Sequence, residues 1–405
     1  MSLSTSSSEI DLKPRSYLVV FCALAALLLA PLAVPAFFLF QAGEFSSAAS
    51  VARWLVRNDG IYGTALNNNL REISFALYEM RKPDILVMSS SRGVDFRKEF
   101  FRGSFGCACS IMSNIEEGQQ FADHISSFPR VVIFGLDYWW FSKTDDHSTV
   151  PWKGIGQRPP VTRPAIKSVY GWISERKITM ADVGLVMLGL RQLSLLSSEP
   201  KLGIQAIVNA NGTRADGTWS PLGTASASER TADYAHMDEL VVQPSLILRE
   251  KAGRYSPDQQ LDDERIAQLG KLVRTFESKG SKAVLMLLPI IPPVVDEMKA
   301  TGRYTFIDEL RERLSSLGVE YYDAFDPRKF GGSTCEFKDP HHGGNALYAK
   351  MLLESAKSHP IIASIVNLDV VRDVASRFAG HIVATIGTEK RSFHEVDFLR
   401  MGCPK

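Results

Sequence analysis

Apolar and polar residues follow several rhythms along this 405-residue chain. A charge-free stretch runs from Ser16 to Gly43, with a continuous apolar core from Tyr17 to Phe40. That length suits a membrane-spanning helix, which needs about 20 apolar residues, and exceeds the usual signal-peptide core of about 7–15. Pro31 and Pro35 are tolerable in such a helix, although either can kink it. Residues 44–80 carry helical periodicity through Val51, Trp54, Leu55, Leu70, Ile73 and Leu77, broken at Asn58-Asp59-Gly60. Short apolar runs then read as buried strands at 84–88 and 130–136, joined by a helix over 114–125. Residues 105–112 are short and mixed in character. From 142 to 250 the rhythm breaks into a Pro-, Gly-, Ser- and Thr-rich insertion with one expected helix, over 180–196. It resumes with helix 258–279, strand 282–288, helix 304–316, strand 319–323 and helix 345–356. This order predicts an α/β fold with a mainly parallel sheet.

The domain plan follows from the same pattern. Residues 1–16 are a disordered cytoplasmic tail, 17–40 a transmembrane signal anchor, 44–358 the α/β domain, and 359–405 a C-terminal extension. Lys13 and Arg15 before the apolar segment favour a cytoplasmic N-terminus, because acidic residues count little in this rule. The rest of the chain then lies outside the cytoplasm.

Composition sharpens this picture in two places. The formal charge is +1 and no basic stripe is interleaved with aromatics, so nucleic acid is not an expected partner. Cys22 lies in the apolar segment, leaving Cys107, Cys109, Cys335 and Cys403. A bridge from Cys107 or Cys109 to Cys335 would clamp two parts of the chain together; the alternative is that some are free, buried small side chains. Neither their spacing nor that of the histidines suits a metal, and no metal or cofactor is expected.

Candidate chemistry lies at two points. The strand at 84–88 ends in Ser89-Ser90-Ser91-Arg92-Gly93, where parallel α/β sheets place their ligands. Far downstream stands Asp339-Pro340-His341-His342. A serine hydroxyl becomes a nucleophile only when a base removes its proton, and the base needs an orienting carboxylate. Asp339 and His342 have a spacing that can point both toward one site; His341 is the competing base. Arg92 could bind an acidic substrate group or pair internally with Asp137 or Asp95. Arg214 lies in a polar turn of the insertion that could line the same cleft. The aromatic run Tyr138–Phe141 could stack on sugar rings or belong to the core.

Together these residues resemble the SGNH (GDSL-type) hydrolase superfamily, and within it the membrane-anchored bacterial branch that includes the proteins of alginate O-acetylation and teichoic-acid D-alanylation. The resemblance covers about 82–142 and 258–356. It implies a three-layer α/β/α sandwich, Ser91 as nucleophile, His342 as base and Asp339 as its orienting acid. It also implies oxyanion donors near Ser113-Asn114 and just past the 130–136 strand, where Asp137 replaces the family's asparagine. Ser90, Arg92, Asn114, Asp137 and Arg214 are thus weaker candidates for oxyanion or substrate contacts. The implied activity is an O-acyltransferase or esterase of the inner membrane, acting on the periplasmic side. Its substrate is a cell-envelope or exported polysaccharide, and a membrane acyl-donor protein is a candidate partner. The alternative is a catalytically inactive protein that keeps the fold to bind glycan or to scaffold polysaccharide assembly.

Overall fold

The computed structural model describes residues 14–66, 69–144, 148–149, 154–190, 199–221 and 254–384. In chain order the elements before the sheet are α1 (Pro14–Ala42), α2 (Ala48–Asn58), β1 (Ile61–Tyr62) and α3 (Leu70–Arg81). The first half of the α/β domain follows as β2 (Ile85–Ser89), β3 (Phe105–Cys109), α4 (Ile115–His124) and β4 (Val131–Leu136). The insertion supplies α5 (Arg163–Ser174), α6 (Met180–Met187), β5 (Lys201–Leu202), α7 (Ile204–Asn209), β6 (Asn211–Arg214) and β7 (Trp219–Pro221). The second half comprises α8 (Asp263–Glu277), β8 (Lys282–Leu287), α9 (Pro292–Thr301), α10 (Phe306–Ser315), β9 (Glu320–Asp323), α11 (Asn345–Ser355), α12 (Pro360–Ile365) and α13 (Leu368–Arg377).

Five strands pair in the order β3-β2-β4-β8-β9, every neighbouring pair parallel. Each residue of β2, β3 and β4 is buried, so both faces of the sheet are covered. This is why their sequences read as unbroken apolar runs rather than as alternations. The strand β3, Phe-Gly-Cys-Ala-Cys, is the exception in composition. Its small residues lack the branched bulk that marks a strand, so the sequence signal there is mixed. The register aligns Ser89 with Cys109 on one side and Gly135 on the other, and Leu136 with Leu287. The segments following β2, β4 and β8 therefore share one rim. The order reverses direction between β2 and β4, which puts the segment after β2 in the crevice that such reversals create.

A second sheet has the order β5-β1-β6-β7 and combines the insertion with β1 from ahead of the domain. Nothing in the pattern of the sequence anticipates this, because two-residue strands carry no periodicity. The sheet is docked on the edge of the first: the Cys107 amide donates to the Asp216 carbonyl at 2.7 Å. One predicted element changes and one is added. The expected 180–196 helix is the shorter α6, with 191–198 outside the described residues, and α5 precedes it. The residues around α5 begin with Thr162, whose side chain caps the helix, and Pro164 in its first turn.

The helix α1 contains a stretch, Ser16–Ala42, of 27 residues with mean hydropathy 2.6, long and apolar enough to cross a membrane. Its C-terminal turns are not free: Phe38, Leu39 and Ala42 are buried with residues of α5, α6 and α7. Just beyond, the buried carboxylate of Glu44 accepts from Thr64 Oγ1 (2.6 Å) and from the amides of Ala65, Leu66 and Ile204. This tie joins the end of α1 to the second sheet and to the start of α7.

Candidate active site

The serine turn follows directly from β2. Ser89 is the last strand residue, and its hydroxyl bonds the Ser90 carbonyl at 2.9 Å. The chain then coils into a 3-10 turn, Ser91–Asp95, capped by Ser90, whose Oγ accepts from the Arg92 amide at 3.2 Å. A side chain at Gly93 has no room, since an added Cβ would lie 2.0 Å from Ser89 Oγ. The Tyr348 hydroxyl of α11 donates to the Arg92 carbonyl and holds the turn from below. Ser91 is left exposed at the tip. Being the first residue of the turn, it has no acceptor within the turn for its amide, and among the described residues that N–H donates to none.

The second half of the site is a pinched loop. An antiparallel bridge joins Phe337 to Gly343, and the Lys338 amide donates to the His342 carbonyl at 2.8 Å. Inside, Asp339 Oδ1 accepts from the amides of His341 and His342, both at 2.8 Å. Those bonds orient the carboxylate. Its Oδ2 then lies 2.6 Å from His342 Nδ1, and His342 Nε2 lies 2.9 Å from Ser91 Oγ. A carboxylate can only accept, so Nδ1 carries the proton and the Nε2 lone pair faces the serine hydroxyl. Burial alone would raise the Asp339 carboxyl, but the His341 and His342 rings and the backbone donors outweigh it and hold it well below its usual range.

His341 points elsewhere and is committed. Arg254 Nη1 is 3.2 Å from its Nε2 and Tyr255 Oη is 2.9 Å from its Nδ1. A guanidinium can only donate, so Nε2 accepts and Nδ1 donates to the tyrosine. Burial, helped by nearby cationic groups, lowers its pKa to about 3 against the opposing pull of Asp339. The ring is neutral at pH 7 and has no lone pair left for a serine. Of the two adjacent histidines, only His342 has the geometry of a base.

Arg92 joins the two halves. Its guanidinium, 1% exposed, donates to Asp137 Oδ1 at 2.8 Å, to the His341 carbonyl at 2.9 Å and to the Pro289 carbonyl. It also stacks 5.1 Å from the centre of the Trp139 ring. The turn after β2, the residue after β4, the segment after β8 and the histidine loop thus meet on one buried cation. A second tie lies beside it, where Lys338 Nζ holds both carboxylate oxygens of Asp95 at 2.6 Å.

Several expectations are corrected by this arrangement. Arg92 and Asp137 are buried and paired with each other, so Arg92 is not available to a substrate acid and Asp137 does not face an oxyanion. Ser90 is the cap of the turn. Asn114 caps α4, its Oδ1 accepting from the Glu117 amide at 3.0 Å. Arg214 lies in the second sheet, where its guanidinium bonds the Trp219 carbonyl at 3.2 Å and Ser220 Oγ at 3.4 Å across a hairpin. The run Tyr138–Phe141 is buried throughout and forms core rather than an open sugar platform. Cys107 and Cys109 are bonded to each other, and Cys335 is in a disulfide that includes neither of them. The clamp from either cysteine to Cys335 is therefore not formed, because residues two apart on one strand face the same side and are nearest neighbours.

Sequence reasoning missed Arg254, Tyr255 and Pro289. The first two follow the patternless insertion and carry no local signal. Pro289 contributes only its carbonyl, which any residue could supply. The side chains of Asp339, His341 and His342 also bring donor atoms within 4.8 Å of one another, a set that could hold a metal ion. In the structure each ring nitrogen has instead a hydrogen-bonding partner. The site thus contains an exposed serine hydroxyl, an imidazole aligned to take its proton and a half-buried carboxylate to stabilise the imidazolium. Comparison of the chain with protein-family models, with curated proteins and with solved structures returned no match.

Proposed function

We propose that this chain is a membrane-anchored, SGNH-like acyl-ester enzyme. It transfers an acyl group such as acetyl from an ester to a hydroxyl of a cell-envelope or exported polysaccharide, or to water. The observation that carries this reading is the hydrogen-bonded series Ser91 Oγ, His342 Nε2, His342 Nδ1 and Asp339 Oδ2, at 2.9 and 2.6 Å. His342 Nε2 takes the Ser91 proton as Oγ attacks the acyl carbonyl carbon. The tetrahedral oxyanion faces the Ser91 amide, and Asp339 stabilises the imidazolium. His342 then gives the proton to the departing alcohol, leaving an acyl-serine. In the second half it removes a proton from water or a glycan hydroxyl, whose oxygen attacks the acyl carbon. Ser91 is released with its proton returned.

The α/β/α sandwich of the superfamily is supported by the five-stranded parallel sheet with both faces covered. An anchor in the bacterial inner membrane is supported by the length and hydropathy of α1. Placement of the domain on the extracytoplasmic, periplasmic side is supported by Lys13 and Arg15 ahead of the apolar segment and by the disulfide-bonded Cys107, Cys109 and Cys335. A membrane acyl-donor protein would be the partner of a transferase.

One observation favours a second reading, a non-catalytic glycan-binding or scaffold protein. Asp137 stands where the superfamily has an oxyanion-binding asparagine, and it is locked to Arg92. Labelling with a fluorophosphonate separates the two. The catalytic reading requires covalent modification at Ser91 and turnover of a chromogenic acetyl ester, both lost in Ser91→Ala with the fold intact. An unlabelled, inert wild-type protein overturns it in favour of the scaffold.

A further inference from the structure

The helix pair α5–α6 carries an apolar surface that the globular domain does not cover. Tyr170 is 46% exposed, Val161 59%, Met180 69% and Leu188 72%. The single acid of α6, Asp182, is engaged in a capping box with Thr179, accepting from its amide at 2.9 Å and its hydroxyl at 2.7 Å. The rest of α6 and the residues to Leu190 are uncharged. In water such a patch is a liability. Its position says what covers it.

Pro35 has no amide hydrogen, so the Pro31 carbonyl of α1 loses its intrahelical donor. The Tyr170 hydroxyl of α5 donates to that carbonyl. A membrane helix needs about 20 residues to cross the apolar core. Whichever 20 consecutive residues of Ser16–Ala42 fill it, Pro31 is among them. A side chain of α5 that reaches Pro31 is therefore at acyl-chain depth, where an unpaired carbonyl is costly and a donor from a neighbouring helix is valuable. The buried contacts of Phe38, Leu39 and Ala42 with Ala165, Val169, Val183 and Val186 continue the same seam toward the domain. The same segment carries exposed Arg158, Arg163, Lys167 and Arg176, cations of the kind that meet anionic headgroups, beside the exposed ion pair of Lys177 with Glu175.

We propose that α5–α6 is a membrane-inserted helical hairpin, packed against α1 in the leaflet next to the domain, with Met180 and Leu188 among lipid acyl chains. It rests on the reading of α1 as a transmembrane anchor. The test uses the full chain with Cys22→Ser, which removes the free cysteine. Single cysteines at Met180 or Leu188, at Leu28 in α1 and at exposed Lys357 carry an environment-sensitive fluorophore. Each protein is reconstituted into nanodiscs of phosphatidylcholine and phosphatidylglycerol. Quenching by nitroxides on the acyl chains is expected to be at least about twofold stronger at Met180 and Leu188 than at Lys357, matching Leu28. Labels at Met180 and Leu188 that behave like Lys357, while Leu28 is quenched, overturn the hairpin and leave the anchor standing. Failure at Leu28 as well overturns both.

Discussion

The rim of the five-stranded sheet and the junction of α1 with α5–α6 solve opposite problems. At the rim, charged groups are buried or half-buried and each finds partners: Arg92 with Asp137, Asp95 with Lys338, Asp339 with His342 and two amides. At the junction, apolar groups are left outside while one backbone carbonyl is matched with care. The rim reads as a site that presents one exposed hydroxyl on a frame of paired charges. The junction reads as one built for a medium without water. One chain thus carries two kinds of polar satisfaction, and the comparison indicates which groups are expensive to disturb.

The sharpest way to break the comparison is within the rim, between neighbouring histidines. His342→Ala should lower ester turnover by roughly 10⁶-fold, as loss of a triad's base does, whereas His341→Asn should leave the Ser91–His342 pair and most activity in place. Equal losses would mean that both rings act as one unit and would remove the distinction drawn from their hydrogen bonds. Next in size is Arg92→Met, which strands a buried Asp137. A urea midpoint lower by an amount equivalent to about 3–5 kcal/mol is expected, much of it recovered in the double variant with Asp137→Leu. No recovery would show that Arg92 matters through the Pro289 and His341 carbonyls instead.

The pH dependence gives a smaller effect. The native chain keeps His341 neutral down to about pH 3, while an unfolded histidine titrates near its ordinary 6.5. As pH falls below 6.5 the unfolded chain gains a proton that the native chain refuses. The stabilising contribution is therefore complete above 6.5 and declines toward pH 3. Between pH 7 and 5 this amounts to about 2 kcal/mol. Asp339, held below the carboxylate range, keeps its contribution above its unfolded value near 4 and adds little slope in that window. Urea midpoints measured across it should flatten in His341→Asn; an unchanged slope would contradict the neutral, buried ring. The smallest effect lies at the junction. Tyr170→Phe should cost about 1 kcal/mol of thermal stability in nanodiscs, and nothing in a Pro35→Ala background, where residue 35 regains an amide for the Pro31 carbonyl. An equal loss in both backgrounds would detach Tyr170 from the carbonyl.

Much of this was legible in the sequence for definite reasons. Ile85–Met88 and Val131–Leu136 announce a parallel sheet because both their faces are buried. Ser91, Asp339 and His342 are legible because the first follows such a strand and the other two are spaced to share a turn. Arg92 offered several partners, and only three-dimensional register decides for Asp137 over Asp95. The second sheet, the Cys107–Cys109 bridge and the Arg254–Tyr255 brace were not legible. The sheet and the brace depend on segments distant in sequence or on strands too short to show a period, and the spacing of the cysteines does not select one pairing among several. The pairing of Tyr170 with Pro31 belongs to the same class, although the cause, a proline four residues on, stands in plain view.

If the proposed function holds, the Glu44 tie bears on how the site meets its substrate. Between the end of α1 and the start of α2 lie only Gly43–Ser47, and the carboxylate in that segment is bonded to two separate stretches of chain, Thr64–Leu66 and Ile204. A tether of this kind has no slack. In the anchored reading the catalytic rim stands at one height and one tilt above the bilayer, so it samples a thin shell of space rather than a hemisphere. Substrate must be delivered to that shell, which favours polymers being threaded out beside the membrane over those already released into bulk solvent.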